Sequence, residues 1–161
     1  MDIIEYFEDY PRQRQWMNRI EACDWNAAKY LADLLRGNRF EETLGEDGKL
    51  YIMIDETQIV SFVTLTRQDC IADDDLYPWL GFLFTVPQYR GHRYSQKIIE
   101  HACQTAEIRG NETIYLATNH IGLYEKYGFI YKENRLDIQG ENSRIYYKPL
   151  INEGRRNLYG L

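Results

Sequence analysis

Cysteine and histidine are both scarce in this chain of 161 residues, with three of each. Cys23, Cys70 and Cys103 are odd in number and form no Cys-x-x-Cys pair. That argues against a disulfide framework and reads as reduced, mostly packing thiols of a cytoplasmic protein. His92, His101 and His120 stand at no helical ligand spacing and have no clustered cysteines or carboxylates beside them, so no structural or catalytic metal is expected. No apolar run approaches the ~18 residues needed to cross a bilayer. The opening residues Met1 to Glu8 are acidic and carry no basic leader. The expected protein therefore has no membrane partner and stays in the cytoplasm.

Positive charge is also in short supply. Nineteen Lys and Arg against 25 Asp and Glu give a net charge of −6, which argues against nucleic acid as a partner, since phosphate backbones need a broad basic surface. The balance is compatible with a cationic or amine acceptor. The chain has no Gly-x-x-x-x-Gly-Lys-Ser/Thr loop and no dinucleotide fingerprint. It also lacks repeats, linkers and low-complexity segments. The length, 44% hydrophobic residues and 27% charged residues fit one globular domain over residues 1–161.

Hydrophobic periodicity then supplies the elements. A short edge strand is expected at Ile3 to Phe7, and Pro11 opens a helix with Trp16, Ile20 and Cys23 on one stripe. Asp24 reads as the N-cap of a second helix that buries Ala27, Ala28, Leu31 and Leu35 and stops at Gly37. Leu50, Ile52 and Ile54 alternate with Tyr51, Met53 and Asp55, a strand with one buried face. Ile59 to Leu65 is apolar on both faces, as a central strand is. A loop at Asp69 to Asp75 precedes a strand at Trp79 to Val86, and a helix runs from Gln96 to about Ile108 with Ile98, Ile99, Ala102, Cys103 and Ala106 inward. Thr113 to Thr118 is the next strand, and Phe129 to Leu136 with Arg144 to Lys148 form a terminal hairpin. The tail from Asn152 to Leu161 reads as fraying surface or partner-contacting chain. Strands in hairpins followed by a strand–helix–strand crossover give an α/β domain, a mixed α+β sheet with helices on both faces.

Two stretches carry chemistry. Residues 87–95, Pro-Gln-Tyr-Arg-Gly-His-Arg-Tyr-Ser, lie between a strand and a helix. A strand that turns on a glycine into a helix aims free backbone N–H groups and the positive end of the helix dipole at one point, an anion site built from main chain. Arg90, Arg93 and Lys97 concentrate positive charge there. Taken alone, the same stretch also reads as a βα turn with a solvated basic rim. The second stretch, Leu123-Tyr124-Glu125-Lys126-Tyr127-Gly128-Phe129, follows a short buried strand and an abrupt turn.

Together these stretches resemble the GNAT superfamily of acyl-CoA-dependent N-acyltransferases. Arg90-Gly91-His92-Arg93-Tyr94-Ser95 is similar to the family's Arg-Gly-x-Gly-x-Gly/Ala acyl-CoA loop. Leu123 to Phe129 is similar to its Leu/Phe-Tyr-Glu-Lys-x-Gly-Phe signature. The resemblance covers roughly residues 50–148. It implies a mostly antiparallel twisted sheet of roughly six to seven strands, splayed in the middle. It also implies acetyl-CoA as cosubstrate, with acetyl transfer to a primary amine of a small molecule or protein by direct attack on the thioester. A CoA-binding or sensory module without turnover is the alternative, and many relatives pair as homodimers.

The resemblance also assigns residues. Arg90, Gly91, His92, Arg93, Tyr94 and Ser95 would hold pyrophosphate; Arg93 and Ser95 depart from the family's small residues, and Arg93 is expected to take an ordinary negative φ at the helix start. Leu83, Phe84 and Thr85 would offer backbone groups to pantetheine. The strands at 79–86 and 113–118 would have to part for that, and Gly81 is the expected bulge. Tyr124 corresponds to the tyrosine that protonates the leaving thiolate; on its own it also reads as a core aromatic. Asn119 reads as a helix N-cap or a CoA contact, and His120 as a capping residue or a proton relay. Residues 79–86 contain no carboxylate, so the base is left among a water chain, His120 and the acidic run Asp73, Asp74 and Asp75, with Asp75 also a neighbour of the amine acceptor.

Overall fold

Hydrophobic periodicity switches from about 3.6 to 2 near Gly45, and the architecture changes at the same place. The computed structural model describes residues 1–150, so the expectation for Asn152 to Leu161 lies outside the described residues. Strand β1 (Asp2–Glu5) leads through two short 3-10 turns into helix α1 (Gln13–Glu21). Helices α2 (Asn26–Arg36) and α3 (Phe40–Leu44) follow. Then come β2 (Lys49–Asp55), β3 (Gln58–Thr66), β4 (Trp79–Thr85), α4 (Tyr94–Ile108), β5 (Thr113–Thr118), β6 (Ile130–Leu136) and β7 (Asn142–Pro149).

The strands form one seven-stranded sheet in the order β1-β2-β3-β4-β5-β7-β6. Every neighbouring pair is antiparallel except β4 with β5. That parallel pair is the product of the crossover through α4, which needs a helix's length of chain to return. The expected mixed sheet with helices on both faces is the observed one.

Two cores sandwich the sheet. Tyr51, Met53, Val60, Val63, Leu65 and Leu80 pack against Ile98, Ile99, Ala102, Cys103 and Ala106 of α4. Leu50, Ile52, Ile54 and Phe62 pack on the other face against Trp16, Ile20, Ala28, Leu31 and Leu34 of α1 and α2. The period of two along β2 therefore feeds both layers, which is why nearly all of that strand is buried. Trp16 is fully buried, and its indole Nε1–H donates to Asp9 Oδ2 at 2.8 Å, tying α1 to the turn before it.

Local differences from the sequence reading have physical causes. Helix α2 begins at Asn26 with Trp25 at the cap position and no side-chain cap, so Asp24 is not its N-cap. The buried face holds Ala28, Leu31, Ala32 and Leu34, with Leu35 at its margin. Helix α3 was not legible, because only Phe40 and Leu44 are apolar in its single buried stripe. The segment after β5 makes a 3-10 turn at Tyr124–Tyr127 rather than an α-helix, closed by Gly128 at φ 89°.

Between β3 and β4 lies a loop that covers the α1/α2 face of the sheet. Ile71 packs with Trp79 and Ile145, Cys70 C=O accepts from Ile138 N–H at 2.8 Å, and Arg135 Nη1 donates to Asp73 Oδ2 at 2.6 Å. The loop is thus clamped to the β6–β7 hairpin. Among the described residues no helix is long and apolar enough to cross a membrane.

Replacing Trp16 by Ala is expected to lower the unfolding free energy by about 3–5 kcal/mol, through lost burial and a residual cavity. Urea denaturation of the variant checks this, and a loss under about 1 kcal/mol would mean that α1 is not held by this side chain.

Candidate active site

The site begins where β4 and β5 stop pairing. They are neighbours only at Trp79↔Tyr115 and Leu80↔Leu116. Beyond Leu80, β4 stays with β3, while β5 pairs along its whole length with β7. A wedge opens between them. Its cause is a bulge: Phe62 faces Phe84 and Thr64 faces Gly81, so β4 carries one residue more than β3 across that interval. An extra residue bends the bulged strand and increases its twist. The positive φ that accommodates it falls on Phe82, at 51°, and not on Gly81. Phe82 is held in that strained state from above, where Tyr30 of α2 lies 6.2 Å from its ring.

Two adjoining cavities occupy the wedge and its mouth. The inner one, about 290 Å³, is lined by Leu80, Gly81, Phe82 and Leu83 on one side and by Leu116, Ala117, Thr118 and Asn119 on the other. The outer one, about 700 Å³, runs past Leu83, Phe84 and Thr85 to Arg90, Gly91, Arg93, Tyr94 and Ser95. Trp25, Leu83, His120 and Tyr124 line both.

The mouth has the backbone form of an anion cradle. Gly91 takes φ 85° with nothing within 4 Å of where a side chain would start, so only its backbone conformation demands glycine. Arg93 is at φ 61°, ψ 26°, a left-handed residue immediately before α4. The expectation of a negative φ there is corrected: two residues of reversed backbone, not one, turn the chain into the helix. Such alternation is how a short loop points successive N–H groups into one hollow. Lys97 N–H bonds back to Arg93 C=O at 3.2 Å, so the N–H groups of the first turn ahead of it have no carbonyl one turn back. Arg90 is pinned at the strand end, its Nε donating to Thr85 C=O at 3.0 Å and its guanidinium 5.4 Å from the centre of the Phe84 ring. His92 lies 5.5 Å from the Tyr94 ring and does not line either cavity.

Tyr124 joins the two cavities. It is 8% exposed and packs with Phe129, Tyr127 and Tyr146, so it is a core aromatic and a cavity wall at once. Burial, with a smaller contribution from Tyr127, pushes its phenol up to about 12, so the group holds its proton at neutral pH and is a donor. Ser95 Oγ and Tyr127 Oη are 3.0 Å apart, which links the anion loop directly to the turn that carries Tyr124. His120 is exposed at the seam, its N–H donating to Thr118 Oγ1 at 3.1 Å, and Asn119 faces the inner cavity only.

The acidic run separates from this constellation. Asp75 is exposed and lines neither cavity, and its N–H donates to Asp73 Oδ1 at 2.9 Å. That bond, then Arg135, holds the Asp73 carboxyl below the usual carboxylate range. Sequence reasoning did not place Asp24 and Trp25 at the site. Trp25 stacks on Phe84 at 5.3 Å and 11°, and both residues line the outer cavity. An aromatic between two helices is also how a hinge contact looks, so nothing in the local pattern marked it.

Arranged this way, the wedge can hold an extended chain along the free edge of β4, bind an anion at its mouth and donate a proton from Tyr124. Residues 46–131, more than half of the chain, match the family model described as an acetyltransferase (GNAT) domain. The chain belongs to the GNAT acetyltransferase family. No curated protein matches it. Among solved structures, it is similar to aminoglycoside 6'-acetyltransferase type Ii, with 19% identity, a TM-score of 0.70, and coverage of 94% of this chain and 99% of that one. It is similar to an aminoglycoside 6'-N-acetyltransferase complexed with coenzyme A, at 16% identity and a TM-score of 0.70 over 94% and 98% of the two chains. An acetyltransferase from Streptococcus agalactiae shares 25% identity and a TM-score of 0.65 over 92% and 98%. Among the described residues of this GNAT chain, no group of three or more His, Cys, Asp or Glu is arranged to hold a metal ion.

Gly91→Ala is expected to lower stability by about 1–2 kcal/mol, because a Cβ at positive φ is strained even in open space. Thermal melting checks it, and an unchanged midpoint would mean that the loop relaxes to another path.

Proposed function

We propose that this cleft transfers the acetyl group of acetyl-CoA to a primary amine by direct attack on the thioester. The observation that carries the reading is the wedge between β4 and β5, floored by an unpaired strand edge and closed at its mouth by the loop at Gly91. Pyrophosphate is held by the N–H groups of residues 91–95, with Arg90 and Arg93 supplying charge. Pantetheine lies along Leu83, Phe84 and Thr85 as an added strand, and one N–H of that edge polarises the thioester carbonyl. Tyr124 protonates the departing thiolate. Asn119 and His120 border the thioester end.

The acceptor enters from the face under α1 and α2, opposite the α4 layer. Asp24 at that rim and the net charge of −6 favour a cation. An aminoglycoside, the compound class named for two of the similar structures, fits this reading. A cytoplasmic setting, where acetyl-CoA and reduced thiols coexist, suits the three free cysteines.

Saturating acetyl-CoA is expected to raise the melting temperature, as ligand binding to the folded state must. CoA release assayed with a panel of primary amines, an aminoglycoside and a lysine peptide among them, tests turnover. Tyr124→Phe is expected to lower kcat by about 10²-fold while leaving the KM for acetyl-CoA within roughly twofold. Full kcat in that variant would remove Tyr124 from the chemistry.

A further inference from the structure

The reaction just proposed needs a group to take the acceptor's proton, and β4 carries no carboxylate. A carboxylate nonetheless stands against the apex of the wedge from outside the strand, behind Gly81 and lining neither cavity itself. Gly81 is the first residue of β4 beyond the last pair with β5, so it stands at the apex of the wedge and lines the inner cavity. Its missing side chain is occupied by a neighbour: a Cβ there would meet Asp69 Oδ1 at 2.2 Å and Thr64 Oγ1 at 2.9 Å. Asp69 therefore lies over Gly81 on the α1/α2 face, while Tyr124 packs with the α4 layer on the other.

Both polar atoms are unusual. Asp69 Oδ1 and Thr64 Oγ1 are sealed from solvent, and neither has a hydrogen-bond partner among the described residues. Most buried polar groups are paired, and an orphaned carboxylate oxygen is among the costliest exceptions. Two such atoms converging on one backbone gap form a site that wants a donor. We propose that Asp69 is the proton acceptor of this enzyme, its carboxylate taking a proton from the acceptor ammonium at the apex of the wedge, over Gly81 and beside Thr64.

The balance is simple. The acceptor arrives as an ammonium and gives one proton to Asp69. Its lone pair then attacks the thioester carbon, and the C–S bond breaks with its electron pair on sulfur. Tyr124 protonates the sulfur and recovers a proton from the new amide nitrogen, and Asp69 passes its own proton to solvent.

Titration agrees with the geometry. Burial raises the Asp69 carboxyl from its ordinary value to about 6, against smaller opposing contributions from its bonds with Cys70. Among the described residues no cation offsets that burial. Cys70 is the titratable neighbour in contact; Asp137 acts on Cys70, and Asp73 and Arg135 neutralise each other at 2.6 Å. Tyr115, on the sheet beneath this loop, has its phenol raised mainly by burial and further by Asp73. A base poised near 6 is unprotonated at neutral pH yet basic enough to accept a proton. Because the folded-state value is raised, the ionised form opposes folding: the contribution of this group to stability is greatest below about 4 and is lost as pH rises toward 6.

The test is Asp69→Asn, an isostere that keeps the packing. With acetyl-CoA and the fastest amine of the panel, wild type is expected to show an acid limb near pH 6 that stays there when acceptors of different amine basicity are used. The variant is expected to lose that limb and about 10²-fold in kcat, with the thermal shift by acetyl-CoA unchanged. It is also expected to melt several degrees above wild type at pH 8, with the gap closing near pH 4. A merely structural role predicts no such pairing of gained stability with lost rate. Gly81→Ala, which displaces the carboxylate while keeping it in the chain, is expected to lose a similar factor. Retention of the limb and of kcat by Asp69→Asn overturns the assignment and leaves the acetyltransferase reading standing. Absence of turnover with every amine, despite saturable acetyl-CoA binding, overturns both.

Discussion

Backbone donors and acceptors in a protein interior must be paired, and the free edge of β4 beyond Leu80 is where this chain leaves them available. Everything functional is arranged around that edge. The bulge at Phe82 turns it away from β5, and β5 is held off by six residues of pairing with β7. Two consecutive commitments are thus needed: one strand must bend, and the other must have a better partner elsewhere. Removing either would let the sheet close and eliminate both cavities. The aromatic contacts above the bulge, Tyr30 on Phe82 and Trp25 on Phe84, show how the α1–α2 layer holds the bent strand in place.

Charge follows the same geometry. Two cations of an acidic protein stand at the mouth, where Arg90 is fixed to the strand end and Arg93 opens α4. The carboxyl that burial raises to about 6 sits instead behind Gly81, on the face of the sheet opposite the α4 layer with which Tyr124 packs. In the proposed reaction the loop at Gly91, Tyr124 and the carboxylate behind Gly81 are used in that order from the mouth inward.

The chain declared its layers more openly than its site. The inward residues of α4 are those its 3.6-residue period selects, and the uniform apolarity of β3 marks a strand covered on both faces. Gly81 has the look of a bulge residue in the sequence, but the reversed φ sits on Phe82 and the glycine makes room for Asp69. A contact between residues 12 apart through a loop has no periodic trace. Arg93 is a similar case, since an arginine at positive φ costs about 1–2 kcal/mol and is not expected without a tertiary reason. The place of Tyr124 on the cavity wall is legible because its neighbours agree in register with a family signature, whereas Trp25 and Asp24 have only helix-boundary chemistry to offer.

Hydrogen exchange across β4, with and without acetyl-CoA, tests the central claim most directly. In the free protein the amides on the open edge between Gly81 and Thr85 should exchange rapidly, beside protected neighbours that pair with β3. Addition of acetyl-CoA should slow them together with the amides of residues 91–95. Free-edge amides already protected without ligand, or unchanged by saturating acetyl-CoA, would contradict the account.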